Sequence, residues 1–188
     1  DFILDVCAAP GTKSLFMAQR VGKGGRIFAC DNSQKRIDKA LKDKSRHSLE
    51  NIHWYLLDAS KDKYPIHEKI IIDAPCSGTG VIGRRPDIKW RLKNSDIQKM
   101  ANLQMSILEN TSKYLKPGGK IVYSTCSLER EENEEVVNNF LINRPDFKLL
   151  VTYSLLPDTW VNSSGFMFSF PTKTNTERLF AAVLQKKI

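Results

Sequence analysis

Two cysteines lie in segments whose neighbouring residues could support covalent chemistry. Cys76 belongs to D-A-P-C-S-G-T-G at residues 73–80, and Cys126 belongs to Y-S-T-C-S at residues 123–127. Structural cysteines usually lie on apolar faces, so a thiol between proline and serine in a glycine-containing loop indicates a nucleophile. For either cysteine alone, a small buried packing residue is about as good an interpretation.

The surroundings of Cys126 act on its thiol in two directions. A predicted helix follows it, and the positive end of a helix lowers the pKa of a nearby thiol. Five glutamates between residues 129 and 135 act the other way. We expect these glutamates to stabilise the first turn of that helix.

The loop C-A-A-P-G-T-K at residues 7–13 follows the apolar run that opens the chain. Its small residues let the backbone approach a ligand closely, and the helix behind it offers amide groups to an anionic group. It has neither the G-x-x-x-x-G-K-[ST] pattern of a phosphate-binding loop nor the three glycines of a dinucleotide fingerprint. A tight strand-to-helix turn is an equally good interpretation.

Acidic residues follow the next two predicted strands. Asp31, with Arg36 shortly beyond it, comes directly after the second strand, where a carboxylate can accept hydrogen bonds from ribose hydroxyls. Asp58 follows the third strand and could contact an adenine amino group. Capping of the following helix or loop is the alternative for both aspartates.

A basic stretch with one tryptophan lies between the two cysteine segments. Its cations could hold phosphates while the indole ring stacks on a base. A solvated charged loop is the more frequent explanation for such a stretch taken alone. The residues are Arg84, Arg85, Lys89, Trp90, Arg91 and Lys93.

Alternating strand and helix patterns supply the scaffold that positions these segments. The strands are predicted at residues 2–6, 26–30, 52–55, 70–73 and 120–124, and the helices at 13–21, 34–48, 96–115 and 131–143. This order indicates a parallel sheet with helices on both faces. Further strands at 147–151 and 179–185, separated by a loop from 152 to 176, predict a closing β-hairpin at the sheet edge. Each distinctive segment follows a strand end, where open α/β sheets bind ligands.

Composition narrows the class of protein. The 188 residues suit one domain, and because the chain begins inside a predicted strand we expect a fragment of a longer protein. The net charge of +8 suits a polyanionic partner, although many basic proteins bind no nucleic acid. With no membrane span, secretory signal or metal-ligand spacing, we expect free thiols and a cytoplasmic location, or a nuclear or nucleolar one in a eukaryote. No histidine lies in the distinctive segments, so serine–histidine hydrolysis has no support.

Taken together, the segments resemble the RsmB/Sun family of RNA cytosine-5 methyltransferases. The matching patterns are D-x-C-A-A-P-G-x-K, an aspartate, D-A-P-C-S-G-x-G, and Y-S-T-C-S followed by E-E-N-E, over about residues 1–145. The resemblance implies a class I methyltransferase (Rossmann-like) α/β fold, with a mostly parallel seven-stranded sheet whose last strand is antiparallel. Residues 1–188 would form the catalytic domain, without upstream RNA-binding elements and as a monomer.

The resemblance also implies roles for the matching residues. Cys126 would attack carbon 6 of a cytosine in rRNA or tRNA, which makes carbon 5 electron-rich enough to accept a methyl group. Asp73 would hold or protonate ring nitrogen 3, Cys76 would assist proton removal or product release, and Lys13 would help to position the base. The cofactor S-adenosylmethionine would contact Cys7, Ala8, Ala9, Pro10, Gly11, Thr12, Lys13, Asp31, Arg36, Asp58 and Asp73.

Two segments depart from the family pattern. Thr12 stands where the family usually has a second glycine before the lysine, and its side chain could crowd the cofactor. The sequence T-E-R-L-F-A-A at residues 176–182 is a loose version of the D-G-F-F-type signal that usually precedes the last strand.

Three other functions fit parts of the pattern. A methyltransferase of the same fold acting on a protein amide would have no use for a cysteine nucleophile. A non-catalytic RNA-binding or assembly factor would use the basic stretch equally well, although the presence of Cys76 and Cys126 argues mildly against it. A nicotinamide-dependent oxidoreductase is disfavoured because the glycine fingerprint is missing.

Overall fold

A computed structural model describes residues 1–22, 24–151, 156–170 and 176–188 of the chain. In these ranges eight strands form one mixed sheet: β1 (Phe2–Val6), β2 (Arg26–Asp31), β3 (Ile52–Leu56), β4 (His67–Asp73), β5 (Leu115–Thr125), β6 (Phe147–Leu150), β7 (Met167–Ser169) and β8 (Leu179–Lys186). The α-helices are α1 (Thr12–Arg20), α2 (Gln34–Arg46), α3 (Ile88–Arg91), α4 (Asn94–Ser112) and α5 (Glu134–Asn143). Short 3-10 turns lie at Thr79–Val81, Arg130–Glu132 and Asp158–Trp160.

The strand order is β3-β2-β1-β4-β5-β8-β6, and β7 pairs with β8 beside that path. The strands β1 to β5 run parallel to one another, whereas β8 is antiparallel to β5, β6 and β7. The chain builds outward from β1 in one direction and then returns to add β4 on its other side. Open α/β sheets bind ligands in the crevice at such a switch point.

The predicted Rossmann-like sheet, mostly parallel with an antiparallel last strand, is confirmed, but the predicted number of strands was too low by one. β7 has only three residues, and it lies inside the predicted loop at 152–176. Residues 152–155 and 171–175 of that loop are outside the described part of the chain. The closing strands β6 and β8 pair as predicted, with β6 at the edge and β8 between β5 and β6.

Two helical features differ from the sequence predictions. The short helix α3 lies inside the charged stretch, where four residues are too few to give a helical pattern. The helix predicted from residue 131 instead consists of a 3-10 turn and then α5, which begins at Glu134. The turn separates the helix from Cys126, and this changes the electrostatics of the site.

Helices cover both faces of the sheet because successive residues of a strand point in opposite directions. Leu4 packs in a large core with Ile107 of α4 and Val137 of α5. Its neighbour Ile3 packs in a second, smaller core with Ala18 of α1. The two cores hold the strand ends rigidly, so the loops that leave them are well positioned.

Phe180 of β8 tests how far the added strand stabilises the fold. Its ring is fully buried and lies 5.2 Å from the ring of Phe168 and 5.5 Å from that of Phe166, between centroids. We expect Phe180→Ala to lower the free energy of unfolding by about 3–5 kcal/mol. Phe16→Ala is the matched control, because Phe16 is 56% exposed and should change stability by less than about 1 kcal/mol. Urea unfolding followed by circular dichroism measures both, and equal losses would contradict the packing described for β8.

Candidate active site

A cleft with a volume of about 670 Å³ opens at the carboxyl ends of β1 to β5. Most of the residues predicted for a site lie in its wall, although they come from six separate segments. The wall includes Cys7, Ala9, Pro10, Asp31, Arg36, Asp58, Asp73, Cys76, Arg85, Arg91 and Cys126. A smaller cavity beside it, of about 100 Å³, is lined by Asp5, Ala8, Ala9, Pro10, Gly11, Thr12, Lys13 and Asp73.

The first loop is held in one conformation by its glycine and its amides. Gly11 has a φ of 107°, and a Cβ added there would lie 2.9 Å from a ring carbon of Trp54. The Ala8 amide donates to the Cys30 carbonyl at 2.9 Å, which ties the loop to β2. Thr12 is exposed at the start of α1 and lines the small cavity but not the large cleft. The effect of Thr12 on cofactor binding stays a prediction.

Asp31 joins the first loop to the start of α2. Its buried carboxylate accepts hydrogen bonds from the amides of Ala9 at 3.2 Å and Ser33 at 3.0 Å. Arg36 pairs with the same carboxylate at 3.0 Å and also donates to the Ala9 carbonyl. Both sequence interpretations of Asp31 therefore find support, since it binds an amide at the helix start and also lies in the cleft wall.

Asp58 lies in the cleft wall at the end of β3 and also organises its own loop. Its carboxylate accepts hydrogen bonds from the Ser60 amide at 3.0 Å and hydroxyl at 2.7 Å. These bonds, with Lys61 at 3.3 Å, hold the pKa of Asp58 below its usual value. A charged acceptor therefore remains at the point where an adenine amino group was predicted.

Lys13 and Asp73 form an ion pair across the switch point between β1 and β4. The Lys13 Nζ lies 2.5 Å from Asp73 Oδ2, and the Ser124 hydroxyl donates to Asp73 Oδ1 at 3.1 Å. Both charged side chains remain partly exposed. The pair thus offers a proton donor and an acceptor together in the small cavity, and Asp73 also lines the cleft.

The two predicted catalytic cysteines lie side by side. The Sγ atoms of Cys76 and Cys126 are 3.2 Å apart, and both residues are half-buried. The hydrogen bond from the Cys76 thiol lowers the pKa of Cys126 and raises that of Cys76. Cys126 is therefore the thiol that ionises more readily. The predicted cause was different and was wrong, because a 3-10 turn and not a helix start follows Cys126.

Glu132 is a site residue that sequence reasoning missed. We assigned the five glutamates to the first turn of a helix, and Glu134 and Glu135 do lie there. Glu132 instead lies in the preceding 3-10 turn with its side chain fully buried beneath the cysteine loops. The periodicity of an acidic run gives no signal for which member turns inward, so only the structure could identify it.

The basic stretch lies beside the cleft and reaches it in part. Arg85 and Arg91 lie in the cleft wall, and both approach Asp87, at 3.8 Å and 3.0 Å. Trp90 is 85% exposed, with the Lys89 ammonium 6.0 Å from its ring centroid. Arg84 pairs with Glu177. The exposed indole and its neighbouring cations form a surface next to the cleft, as an RNA contact would require.

The family model of the 16S rRNA methyltransferases RsmB/F matches residues 1–185. The chain belongs to this family. It is 42% identical over 155 residues to the ribosomal RNA small subunit methyltransferase B of Shewanella oneidensis, covering 79% of this chain and 35% of that one. It is 38% identical over 150 residues to a probable ribosomal RNA small subunit methyltransferase B of Bacillus subtilis, covering 78% and 34%. The chain thus spans about a third of the length of these relatives.

A solved structure agrees with this membership. The crystal structure of NSun6 from Pyrococcus horikoshii with SFG superposes with a TM-score of 0.88 at 32% identity, covering 99% of this chain and 48% of that one. The predictions of the family, of the Rossmann-like methyltransferase fold and of S-adenosylmethionine as the cofactor are confirmed. The roles of individual residues remain predictions.

The described parts of this RsmB/F family chain contain neither a cluster of metal-ligating side chains nor a helix suited to crossing a membrane. In those ranges, no group of three or more His, Cys, Asp or Glu side chains is arranged to hold a metal ion. None of the helices found there combines the length and the apolarity that crossing a bilayer requires.

Asp5 is a second residue to which sequence reasoning gave no role. It is only 1% exposed, accepts a hydrogen bond from the Ser14 hydroxyl at 2.5 Å, and has no partner for its other oxygen. Burial raises the pKa of Asp5 to about 7. Its carboxyl group lines the small cavity beside the Lys13–Asp73 pair.

Asp5 makes the stability of the fold depend on pH. In the unfolded chain its carboxyl group ionises near pH 4, whereas in the folded chain it keeps its proton up to about pH 7. The folded state therefore holds the extra proton between these values, and stability is lost as the pH rises from about 4 to about 7. Asp5→Asn cannot ionise, so its stability relative to wild type should improve by up to about 4 kcal/mol between pH 4 and pH 8. Urea unfolding at both pH values tests this, and a constant difference would refute it.

Proposed function

We propose that this chain carries the catalytic site of an enzyme that methylates carbon 5 of cytosine in RNA through a covalent cysteine–cytosine intermediate. The observation that carries the proposal is the pair of thiols 3.2 Å apart in a cleft that Asp73 also lines. A methyltransferase acting directly on an amine or amide needs no cysteine nucleophile. The names of the relatives support rRNA as the substrate. The proposal includes tRNA as an alternative structured RNA and a cytoplasmic location.

The cleft fits S-adenosylmethionine in size and in chemistry. A volume of about 670 Å³ lies in the usual range for small-molecule sites. Asp31 at the end of β2 would accept hydrogen bonds from the ribose, and Asp58 at the end of β3 would receive the adenine amino group. The first loop and Arg36 would contact the remainder of the cofactor. When bound, S-adenosylmethionine supplies an electrophilic methyl group.

Cys126 acts as the nucleophile in this proposal. Its thiolate forms a bond to carbon 6 of the base, and the displaced electron pair of the 5,6 double bond makes carbon 5 nucleophilic. Asp73 holds or protonates ring nitrogen 3, which stabilises the electron-rich ring, and Lys13 beside it helps to position the base. This division of roles suits the geometry because the Lys13–Asp73 ion pair and the two thiols lie at the same end of the sheet.

Cys76 acts after methyl transfer. The proton on carbon 5 must leave, and the bond between Cys126 and carbon 6 must break before the product is released. Cys76 is close enough to Cys126 to assist either event. Its raised pKa keeps it protonated while Cys126 is a thiolate, and this cause is removed once Cys126 is bonded to carbon 6. The hydrogen bond between the thiols thus separates the roles of two residues of the same type.

The base must leave its stack to reach the cysteines, so loops and unpaired nucleotides are the natural substrates. Arg85 and Arg91 in the cleft wall would hold the phosphates that flank the extruded nucleotide. Trp90, beside them, would stack on a neighbouring base.

Substitution of the cysteines tests the chemistry. With structured RNA and labelled S-adenosylmethionine, we expect Cys126→Ala to lower 5-methylcytosine formation by roughly 10³-fold or more. Cys76→Ala should accumulate a covalent RNA adduct on a denaturing gel, because bond formation is preserved and release is impaired. Cys30→Ala, which removes a fully buried thiol of β2, is the matched control and should keep most of the activity.

Full activity in both Cys126→Ala and Cys76→Ala would overturn the covalent mechanism. Methylation of another acceptor would then be favoured if labelled methyl still appears in product. RNA binding with no detectable affinity for S-adenosylmethionine would instead favour a non-catalytic binding factor.

Trp90→Ala tests the RNA surface. Loss of one stacking contact should weaken binding of a structured RNA by about 5- to 100-fold, corresponding to about 1–3 kcal/mol. Phe16→Ala removes another exposed aromatic ring, on α1, and should leave RNA affinity unchanged. Fluorescence anisotropy at fixed salt measures both, and equal affinities for the two variants would place the RNA contact elsewhere.

A further inference from the structure

Glu132 is a buried carboxylate with several hydrogen-bond donors around it, and not a solvated acid. Its side chain is fully buried in the 3-10 turn between β5 and α5. A buried carboxylate is stable only when its oxygens receive hydrogen bonds or a counter-charge. The donors that satisfy this one come from three separate segments.

Two donors come from the cysteine loops themselves. The Ser77 amide, directly after Cys76, donates to one carboxylate oxygen at 2.9 Å. The Ser127 hydroxyl, directly after Cys126, donates to the other at 2.8 Å. One carboxylate therefore bridges the residues that follow the two thiols.

The third donor ties this bridge to the helix layer. Gln104 of α4 donates to Glu132 at 2.8 Å and also to the carbonyl of Pro75 at 2.8 Å. Since Pro75 and Ser77 flank Cys76, the backbone on both sides of that thiol is fixed by the same pair of side chains.

The turn that carries Glu132 is itself fixed to β5. The Tyr123 hydroxyl donates to the Glu132 carbonyl at 2.7 Å. The neighbouring Asn133 accepts a hydrogen bond from Thr125 at 2.5 Å and donates to the Ser127 carbonyl at 3.0 Å. The carboxylate therefore has a defined position before any substrate binds, as a positioning group requires.

We propose that Glu132 is a positioning residue that sets the distance and orientation of Cys76 and Cys126 relative to each other. The inference rests on the proposed function only in that these two thiols are the ones that act on the base. It assigns to Glu132 a geometric task, which the exposed glutamates of the same run do not share.

The charge of Glu132 opposes thiol ionisation, so its contribution to the site is geometric. A carboxylate close to both sulfur atoms disfavours either thiolate and raises the pKa of Cys76 and Cys126. Asp73 acts on Cys126 in the same direction, while the hydrogen bond from Cys76 acts in the other. Removing the charge while keeping the shape should therefore move the ionisation of Cys126 to lower pH.

Glu132→Gln and Glu132→Ala separate shape from charge. In the glutamine variant the amide oxygen can accept from Ser77 and Gln104, and the Ser127 hydroxyl can turn to accept from the amide nitrogen. The alanine variant leaves all three donors without their acceptor. Glu135→Gln is the matched control, since Glu135 is exposed in the first turn of α5.

Phenylarsine oxide measures the distance between the thiols without using RNA. It forms two arsenic–sulfur bonds with a pair of close thiols and releases one water. We would titrate it in a Cys30→Ala background, so that Cys76 and Cys126 remain the close pair. We expect Glu132→Gln and Glu135→Gln to bind it within about 3-fold of the parent, and Glu132→Ala to bind it at least about 10-fold more weakly.

Methylation kinetics supply the second measurement. Glu132→Ala should lower kcat by at least about 30-fold with the KM for S-adenosylmethionine unchanged, because the carboxylate of Glu132 is hydrogen-bonded to the cysteine loops and α4. Glu132→Gln should keep kcat within about 5-fold and shift the acid limb of the pH–rate profile to lower pH. A general loss of folding would instead change the cofactor KM and the melting temperature together.

The outcomes remain distinguishable. If wild type forms no 5-methylcytosine, the proposed function fails, and the arsenical series still tests the positioning role. If Glu132→Ala does not fold, Gln104→Met removes one of the three donors, and we expect it to weaken arsenical binding by about 3- to 10-fold. Folded Glu132→Ala or Gln104→Met protein with parental arsenical affinity and parental kcat would overturn the inference.

Discussion

The parallel register of β4 and β5 is the constraint on which the site depends. Asp73 lies opposite Ser124 in that register, the Ala74 amide donates to the Ser124 carbonyl at 2.9 Å, and the Ser124 hydroxyl donates to Asp73. Both strands therefore end at the same level, and the loops that leave them begin side by side. A shift of one residue would turn every side chain of one strand to the opposite face, so the buried cores enforce this alignment. Cys76 and Cys126 meet because the loops that carry them leave these two adjacent strands at the same level.

The buried carboxylate beneath the cysteine loops and the one beneath the first loop differ in their hydrogen bonding. Under the cysteines, Glu132 and Gln104 exchange hydrogen bonds with the backbone, so burial of a charge is compensated locally. Under the first loop, Asp5 keeps one oxygen without a partner, and burial raises its pKa to about 7. Under the thiols both oxygens of the Glu132 carboxylate accept hydrogen bonds, and the atom left without a partner is the neutral Gln104 Oε1, whereas at the switch point it is an oxygen of the Asp5 carboxyl group. Folds commonly tolerate such a defect where a ligand binds.

The sheet could be predicted because strands and helices each have a periodic pattern of apolar residues in the sequence. The sequence also placed Cys76 and Cys126 just beyond the ends of two predicted strands, where the structure brings them together. It failed where the determining contact is non-local. β7 is three residues long and exists only because β8 offers it an edge, and Glu132 is distinguished from four other glutamates only by the donors that surround it. The roles of Asp31 and Asp58 were predicted as alternatives, and the structure shows that a single carboxylate can serve a loop and a cleft together.

The difference between the two thiols follows from this arrangement. The hydrogen bond from Cys76 is the largest influence on the pKa of Cys126 and lowers it, while burial, Asp73 and Glu132 oppose ionisation. Without a close partner, Cys126 would lose the largest influence that lowers its pKa. At 3.2 Å a change of a few tenths of an ångström weakens a hydrogen bond that involves sulfur, so the reactivity of Cys126 depends on the distance that the loops maintain. The geometry of the loops therefore determines the reactivity of the nucleophile. Glu132 opposes ionisation of Cys126 by its charge, but it favours ionisation by holding the two thiols at hydrogen-bonding distance.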